Sequence, residues 1–182
     1  MFIKETCALL LSFGIAQQAY AVELVIGEET VSPGVVFIFE GAVKDQIMPH
    51  SMHLAENETN VHIEARANWD ETNIPDGTPP GGFVAYLYIT AIVKNQKTGL
   101  RTFVDLLPHI NLVDNFHYAR NIFLPGDIDD LYTVMFFITP PPATDLALHK
   151  DWVDIYGRSV MKKMEFKYEN INFEEIATAS RR

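Results

Sequence analysis

The sequence predicts an all-β protein, an antiparallel β-sandwich of the immunoglobulin-like type. Short runs of β-branched and aromatic residues recur along the chain, and clusters rich in Pro, Gly and Asn separate them at regular spacing. No segment shows a convincing helical pattern longer than two turns. The 182 residues, 48% of them hydrophobic, are enough for one domain with a substantial core.

The first two predicted strands differ in their patterns. Residues 31–42 form a β-branched and aromatic run that a Pro-Gly turn opens. Residues 60–68 alternate, with apolar side chains on one face and His62 and Glu64 on the other, which we expect to point outward. Two residues at this spacing lie about 6.6–7 Å apart along a strand, so both can reach one ion.

The remaining strands are predicted from apolar runs between turns. Residues 83–93 follow a Pro/Gly-rich loop and are apolar almost throughout, as in a strand buried on both faces. A turn then leads into a return strand at 100–107, which completes a hairpin and ends just before His109. Three more strands are predicted at 121–124, 131–139 and 164–169. We expect the acidic and then basic residues that follow to fray.

The first 21 residues have the features of an export signal. Lys4 precedes an apolar run at residues 8–16, and Ala19-Tyr20-Ala21 has the small-x-small pattern that signal peptidase reads. The run is shorter than the about 20 apolar residues needed to span a bilayer. We therefore predict an exported domain of residues 22–182, which has no cysteine because Cys7 lies in the signal.

The charge of the chain makes one class of partner unfavourable. With 14 basic and 24 acidic residues, the formal net charge is −10. A surface of this sign repels the phosphate backbone, so no nucleic-acid partner is expected.

The histidines carry the candidate chemistry. The six lie at positions 50, 53, 62, 109, 117 and 149, none in an obviously core-facing position of a predicted strand. Neutral imidazole binds borderline metals without first losing a proton at neutral pH, so the pattern predicts a metal site. A possible second site is Met48-Pro49-His50-Ser51-Met52-His53, where Met48, Met52, His50 and His53 offer two thioethers and two imidazoles. The alternative for this segment is a surface loop with adaptable hydrophobic side chains.

Three segments match a known family. They read Val-His-Ile-Glu-Ala at 61–65, Ala-Tyr-Leu-Tyr-Ile-Thr at 85–90 and Asp-Asn-Phe-His-Tyr-Ala-Arg-Asn-Ile at 114–122. They resemble Ile-His-Leu-Glu-Ala, Pro-Tyr-Leu before a Thr-Ile strand, and Asp-Gly-Pro-His-Tyr-Gly-Ala-Asn-Ile in the periplasmic copper-binding accessory proteins that accompany an inner-membrane iron permease. The resemblance covers most of the exported domain.

The resemblance implies a homodimeric immunoglobulin-like sandwich in the periplasm, with a metal near the dimer interface. Residues that match the family's ligands are His62, Glu64, His117 and His149. The family's methionine ligand is absent, since Leu107-Pro108-His109 stands where the family has Met-Pro-Met. One extra residue follows, so either His109 or Ile110 occupies the methionine position. We expect His109, with a bulge after it that turns Ile110 into the core.

An imidazole in place of a thioether makes the predicted ligand set borderline to hard, which favours Cu(II), Zn(II) or Fe(II) over Cu(I). That set is His62, Glu64, His109, His117 and His149. We interpret the chain as a non-catalytic periplasmic protein that binds copper, with iron as a further cargo, and supports iron uptake through a permease. Alternatives are a copper chaperone, an iron redox enzyme using the same site, and a structural sandwich that retains no metal.

Overall fold

The computed structural model describes residues 23–180, and in this range the chain forms eight strands and two short α-helices. In chain order these are β1 (Glu23–Val31), β2 (Val35–Ala42), β3 (Val61–Trp69), β4 (Tyr88–Asn95), β5 (Arg101–Asn111), β6 (Asn115–Ile122), β7 (Leu131–Thr139), α1 (Lys150–Tyr156), β8 (Met164–Asn172) and α2 (Glu174–Thr178). Two 3-10 turns, His50–Met52 and Glu56–Glu58, lie between β2 and β3.

Every pair of neighbouring strands is antiparallel, in the order β1-β2-β3-β6-β5-β4-β7-β8. The long strand β5 joins two layers, because residues 101–106 pair with β4 and residues 107–111 pair with β6. One layer therefore contains β1, β2, β3 and β6, and the other contains β4, β7 and β8. The predicted antiparallel sandwich is confirmed.

Aromatic side chains from both layers fill the core. Phe39 of β2 stacks on Phe136 of β7 with ring centroids 4.2 Å apart, and Phe166 of β8 lies 5.5 Å from the same Phe39 ring. Phe37 and Phe39 are fully buried. Burial of large apolar side chains is the main stabilising contribution to such a fold, so these contacts hold the two layers together.

The predicted bounds are most accurate for the strands with the clearest pattern. The prediction for β7 is confirmed at both ends, and that for β3 differs by one residue at each end. The run predicted at 31–42 is a turn followed by β2, because Ser32-Pro33-Gly34 reverses the chain after β1. β1 itself has no predicted counterpart, because its acidic residues interrupt the apolar pattern.

Three strand predictions are wrong in their bounds. The strand predicted at 100–107 is too short, because β5 continues to Asn111 and contains His109. Residues 83–87 are not part of β4, since Tyr86 has a φ of 64° and the backbone N–H of Leu87 donates to the Tyr118 hydroxyl. The strand predicted at 121–124 is the end of β6, which begins six residues earlier at Asn115. Its early part was missed because the buried position 117 carries the polar side chain of a histidine instead of an apolar one that marks a strand.

The predicted frayed tail is wrong for residues 170–180, whereas its basic end, Arg181 and Arg182, lies outside the described part of the chain. β8 continues to Asn172, and α2 docks against β2 with Ile176 only 1% exposed. Gly41 permits this contact, because a Cβ atom there would lie 2.8 Å from Ile176 Cδ1 and 3.0 Å from the Phe173 ring. Phe173 and Ile176 therefore belong to the core.

The predicted export signal, residues 1–21, lies outside the described part of the chain, as does the proposed first residue Val22. Among residues 23–180, no helix combines the length and the hydrophobicity needed to cross a membrane.

Candidate metal centre

Three neighbouring strands bring three imidazoles together. His109 of β5 and His117 of β6 are paired directly across the ladder, with ring centroids 5.8 Å apart. His62 of β3 lies 5.5 Å from the His109 ring and 6.2 Å from the His117 ring. One ligand nitrogen of each ring lies within 4.8 Å of the other two. We call these three side chains the histidine cluster.

The spacing of the histidine cluster suits a first-row metal ion. Zinc-type ions bind imidazole nitrogen at about 2.0–2.1 Å, so two nitrogens on one ion are at most about 4.2 Å apart. Nitrogens that lie within 4.8 Å of one another need only a small inward movement to share an ion. The three nitrogens are thus already close to the positions that a bound metal ion requires.

Asn121 fixes the tautomer of His62. Its amide nitrogen donates to the backbone carbonyls of Asp45 (2.7 Å) and Leu54 (3.2 Å), which leaves the amide oxygen as an acceptor. That oxygen lies 2.8 Å from Nδ1 of His62, so Nδ1 carries the proton and donates to it. The lone pair of His62 is therefore on Nε2, the nitrogen that lies 3.6 Å from Glu64 Oε1.

His117 is oriented in a similar way by the backbone. Its Nδ1 lies 3.2 Å from the carbonyl oxygen of Asn115, where a proton on Nδ1 makes a hydrogen bond. Nε2 of His117 then carries the lone pair. Both buried histidines thus present Nε2 as the ligand atom, through partners that hold the ring in place.

His109 is held in its neutral, metal-binding form. Burial, and after it the electrostatic effects of His62, His117, His53 and Arg120, together lower the pKa of His109 to about 3. Its Nε2 is buried and, among the described residues, has no hydrogen-bond partner. A buried nitrogen in this state is costly unless a ligand satisfies it, which fits a bound metal ion.

Glu64 supplies the negative charge beside the cluster. Its side chain is 2% exposed and that of His62 is 3% exposed, so the predicted outward orientation of this face is wrong. The reason is the irregular chain between β2 and β3, whose carbonyls at Asp45 and Leu54 lie over this face and accept hydrogen bonds from Asn121.

A second buried carboxylate, Glu40, was missed in the sequence. It lies opposite Glu64 in the β2–β3 pairing and forms a 2.7 Å ion pair with Arg66. Burial raises the pKa of Glu40 above its usual range, and the Arg66 guanidinium opposes that effect. Because Arg66 neutralises Glu40, Glu64 remains the carboxylate available to an ion. A glutamate inside the otherwise apolar run of β2 was the available signal.

The choice between His109 and Ile110 is clear in the structure. His109 points into the cluster, whereas Ile110 is 65% exposed, so the expectation that Ile110 turns into the core is wrong. The predicted bulge is wrong too, because β5 and β6 pair without interruption from Leu107–Ala119 to Asn111–Asn115.

The other predicted ligands do not join the histidine cluster. His149 is exposed and precedes α1. In the possible second site, Met48, His50 and Met52 are exposed, whereas His53 is partly buried with its ring 5.1 Å from that of His109.

Comparisons with known proteins agree with this architecture. The model of the family described as Fe2+ transport protein matches residues 20–174. Copper-reconstituted P19 from Campylobacter jejuni is 25% identical with a TM-score of 0.67, and the match covers 81% of this chain and 94% of that chain. A copper-bound variant of FetP from uropathogenic Escherichia coli is 24% identical with a TM-score of 0.65, covering 81% and 95% of the two chains. A comparison with curated proteins found no match.

Proposed function

The chain belongs to the Fe2+ transport protein family, and on that basis we propose that it is a periplasmic protein that binds Cu(II), and also iron, to support iron uptake. The proposed ligands in one protomer are His62, Glu64, His109 and His117. The observation that carries the proposal is the histidine cluster, whose ligand nitrogens lie within 4.8 Å of one another and include the buried, unpartnered Nε2 of His109.

The donor set supports Cu(II) over Cu(I). Three imidazoles and a carboxylate are borderline-to-hard ligands, and no thioether is among them. Divalent iron is compatible with the same donors, although the general affinity order for divalent ions favours copper. Copper is bound in the P19 and FetP structures that this chain resembles.

We further propose a homodimer in which His149 of a second copy completes the site. His149 is exposed at the start of α1, where it is accessible to another molecule. Sedimentation of the protein with and without Cu(II) tests the dimer. In a dimer, His149→Ala is expected to weaken Cu(II) binding without separating the protomers. A monomer whose Cu(II) affinity is unaffected by His149→Ala contradicts this part of the proposal.

The periplasmic location is supported by the export pattern at residues 1–21 and by the similar FetP, which was expressed in the periplasm of Escherichia coli. The proposed partner in uptake is an inner-membrane permease. In cells lacking the gene, we expect the wild-type protein to restore growth on limiting iron and His117→Gln to fail. Equal rescue of growth by the wild type and by His117→Gln would show that the role in iron uptake does not depend on the metal site.

Calorimetric titration of dialysed protein with Cu(II) tests the binding function. We expect one tight ion per protomer in the wild type, a large loss of affinity in His109→Gln, and no change in His50→Gln, whose ring is exposed. Absence of tight binding in the wild type would refute the proposal. Steady-state oxidation of Fe(II) by a small amount of protein would favour an enzyme instead.

A further inference from the structure

His53 is the histidine outside the cluster that comes close to it. It follows the 3-10 turn His50–Met52, and its ring lies edge-on to that of His109 with centroids 5.1 Å apart. Nδ1 of His53 is buried and, like Nε2 of His109, has no hydrogen-bond partner among residues 23–180. Two adjacent buried nitrogens without partners are costly in an apo protein, and an ion between them removes that cost.

A groove connects the ring of His53 to solvent. It has a volume of about 660 Å³, and its lining includes Met52, His53, Asp105, Arg120 and Asn121. Asn121 is the residue that orients His62, so the groove extends to the edge of the histidine cluster. His53 thus lines the groove and contacts the ring of His109.

We infer that His53 is an entry ligand: together with His109 it accepts the incoming copper ion from the groove and then gives it up to His62 and His117. The inference rests on the proposed function, because His109 belongs to both positions. A neutral imidazole offers one lone pair, so His109 holds one ion at a time. Transfer is then a ligand exchange in which His109 keeps the ion, His62 and His117 bind it, and His53 leaves without any change in oxidation state.

The charges around the two positions make the transfer favourable. Arg120 lines the groove and acts electrostatically on both His53 and His109, so it disfavours a cation that stays at the entry position. The histidine cluster has the buried carboxylate of Glu64 beside it. An ion therefore binds more weakly at the entry position and moves on to the cluster.

Stopped-flow kinetics with Cu(II) test this inference on the exported protein. We expect His53→Gln to slow both binding and chelator-induced release by about tenfold or more, with little change in the equilibrium affinity. His50→Gln is the matched control, since it removes an exposed imidazole three residues earlier, and we expect it to leave both rates unchanged. Arg120→Gln is expected to accelerate binding.

A trapped entry complex gives a second readout. In the double variant His62→Gln and His117→Gln, we expect weak Cu(II) binding with the electron paramagnetic resonance signature of imidazole nitrogen, lost when His53→Gln is added. Unchanged rates in His53→Gln overturn the inference. A large fall in equilibrium affinity through faster release also overturns it, since His53 would then be a ligand of the resting site. If the wild type binds no copper at all, the proposed function itself fails.

Discussion

Both faces of β3 are buried over residues 61–65, but different forces hold them. On one face Val61, Ile63 and Ala65 are fully buried in the apolar core. On the other face His62 and Glu64 are buried as well, beside the hydrogen bond from His62 to Asn121. The apolar face stabilises the fold at roughly 25 cal/mol for each Å² removed from water. The polar face costs free energy wherever a buried group lacks a partner.

This difference shows that the protein gives up stability on the polar face in order to bind a metal ion there. The apolar face requires only close packing, whereas the polar face keeps the Nε2 atom of His109 unsatisfied among the described residues. A metal ion that binds only the folded state stabilises the protein in proportion to its affinity. We therefore expect perturbations of the core to act on folding and perturbations of the polar face to act mainly on metal binding.

The largest expected effect is on the core side. Phe39→Ala removes a ring stacked between the two layers and should lower the free energy of unfolding by about 3–5 kcal/mol. Urea denaturation of the metal-free protein measures this, and the Cu(II) affinity of the folded fraction should not change. A loss below 1 kcal/mol would mean that the aromatic stack does not join the layers as described.

On the polar face, His117→Gln should reduce Cu(II) affinity by more than about 100-fold, because it removes a ligand rather than a supporting partner. The free energy of unfolding of the metal-free protein should change far less than in Phe39→Ala. Competition titration and urea denaturation of the same sample test both statements. A large loss of stability with intact affinity would reverse the assignment of the two faces.

Asn121→Ala should have an intermediate effect on both the Cu(II) affinity and the free energy of unfolding. It removes the acceptor that fixes the His62 tautomer and should reduce Cu(II) affinity by about 10-fold or more. It also leaves the carbonyls of Asp45 and Leu54 without their donor, at a cost of about 1–3 kcal/mol. Affinity equal to that of the wild type would show that His62 does not need this support.

The pH dependence should distinguish the faces as well. The pKa of His109 is lowered to about 3 in the folded state, whereas an unfolded histidine titrates near 6.5. The unfolded state therefore binds more protons between these values, and the stability that is present above pH 6.5 is lost as the pH falls toward 3. The free energy of unfolding of metal-free His109→Gln, measured at pH 7, 5 and 4, should decline less than that of the wild type as the pH falls. An identical decline in the two proteins would contradict the assigned pKa.

The smallest expected effect is a change in the preference between Cu(I) and Cu(II). His109→Met introduces a thioether beside His62 and His117, which should raise affinity for Cu(I) relative to Cu(II). Ile110→Met is the matched control, because its side chain is exposed and should leave the preference unchanged. Parallel titrations in the two oxidation states measure the ratio, and equal ratios in both variants would exclude His109 from the site.

The sequence predicted the strands whose burial follows the standard patterns. β7 lies between β4 and β8 and is an almost continuous apolar run, which gave its bounds. Strict alternation in β3 placed His62 and Glu64 on one face correctly. It did not show that this face is buried, because the covering contacts come from Asp45, Leu54 and the distant Asn121.

The turn between β5 and β6 explains the wrong bulge. The side-chain oxygen of Asn111 accepts hydrogen bonds from the backbone N–H groups of Val113 and Asp114, and Asn115 has a φ of 63°. These contacts close the turn and leave His109 opposite His117 without a bulge in the ladder. Because a one-residue shift in register reverses the face of every side chain, the turn chemistry determines which residue enters the site.

The position of the bound ion tests the central claim most directly. Crystals of the Cu(II)-loaded protein, measured at the copper absorption edge, should show an anomalous peak about 2.0–2.2 Å from one nitrogen of each of His62, His109 and His117. The Glu64 carboxylate should lie beside it. A peak located away from these three imidazoles would contradict the account.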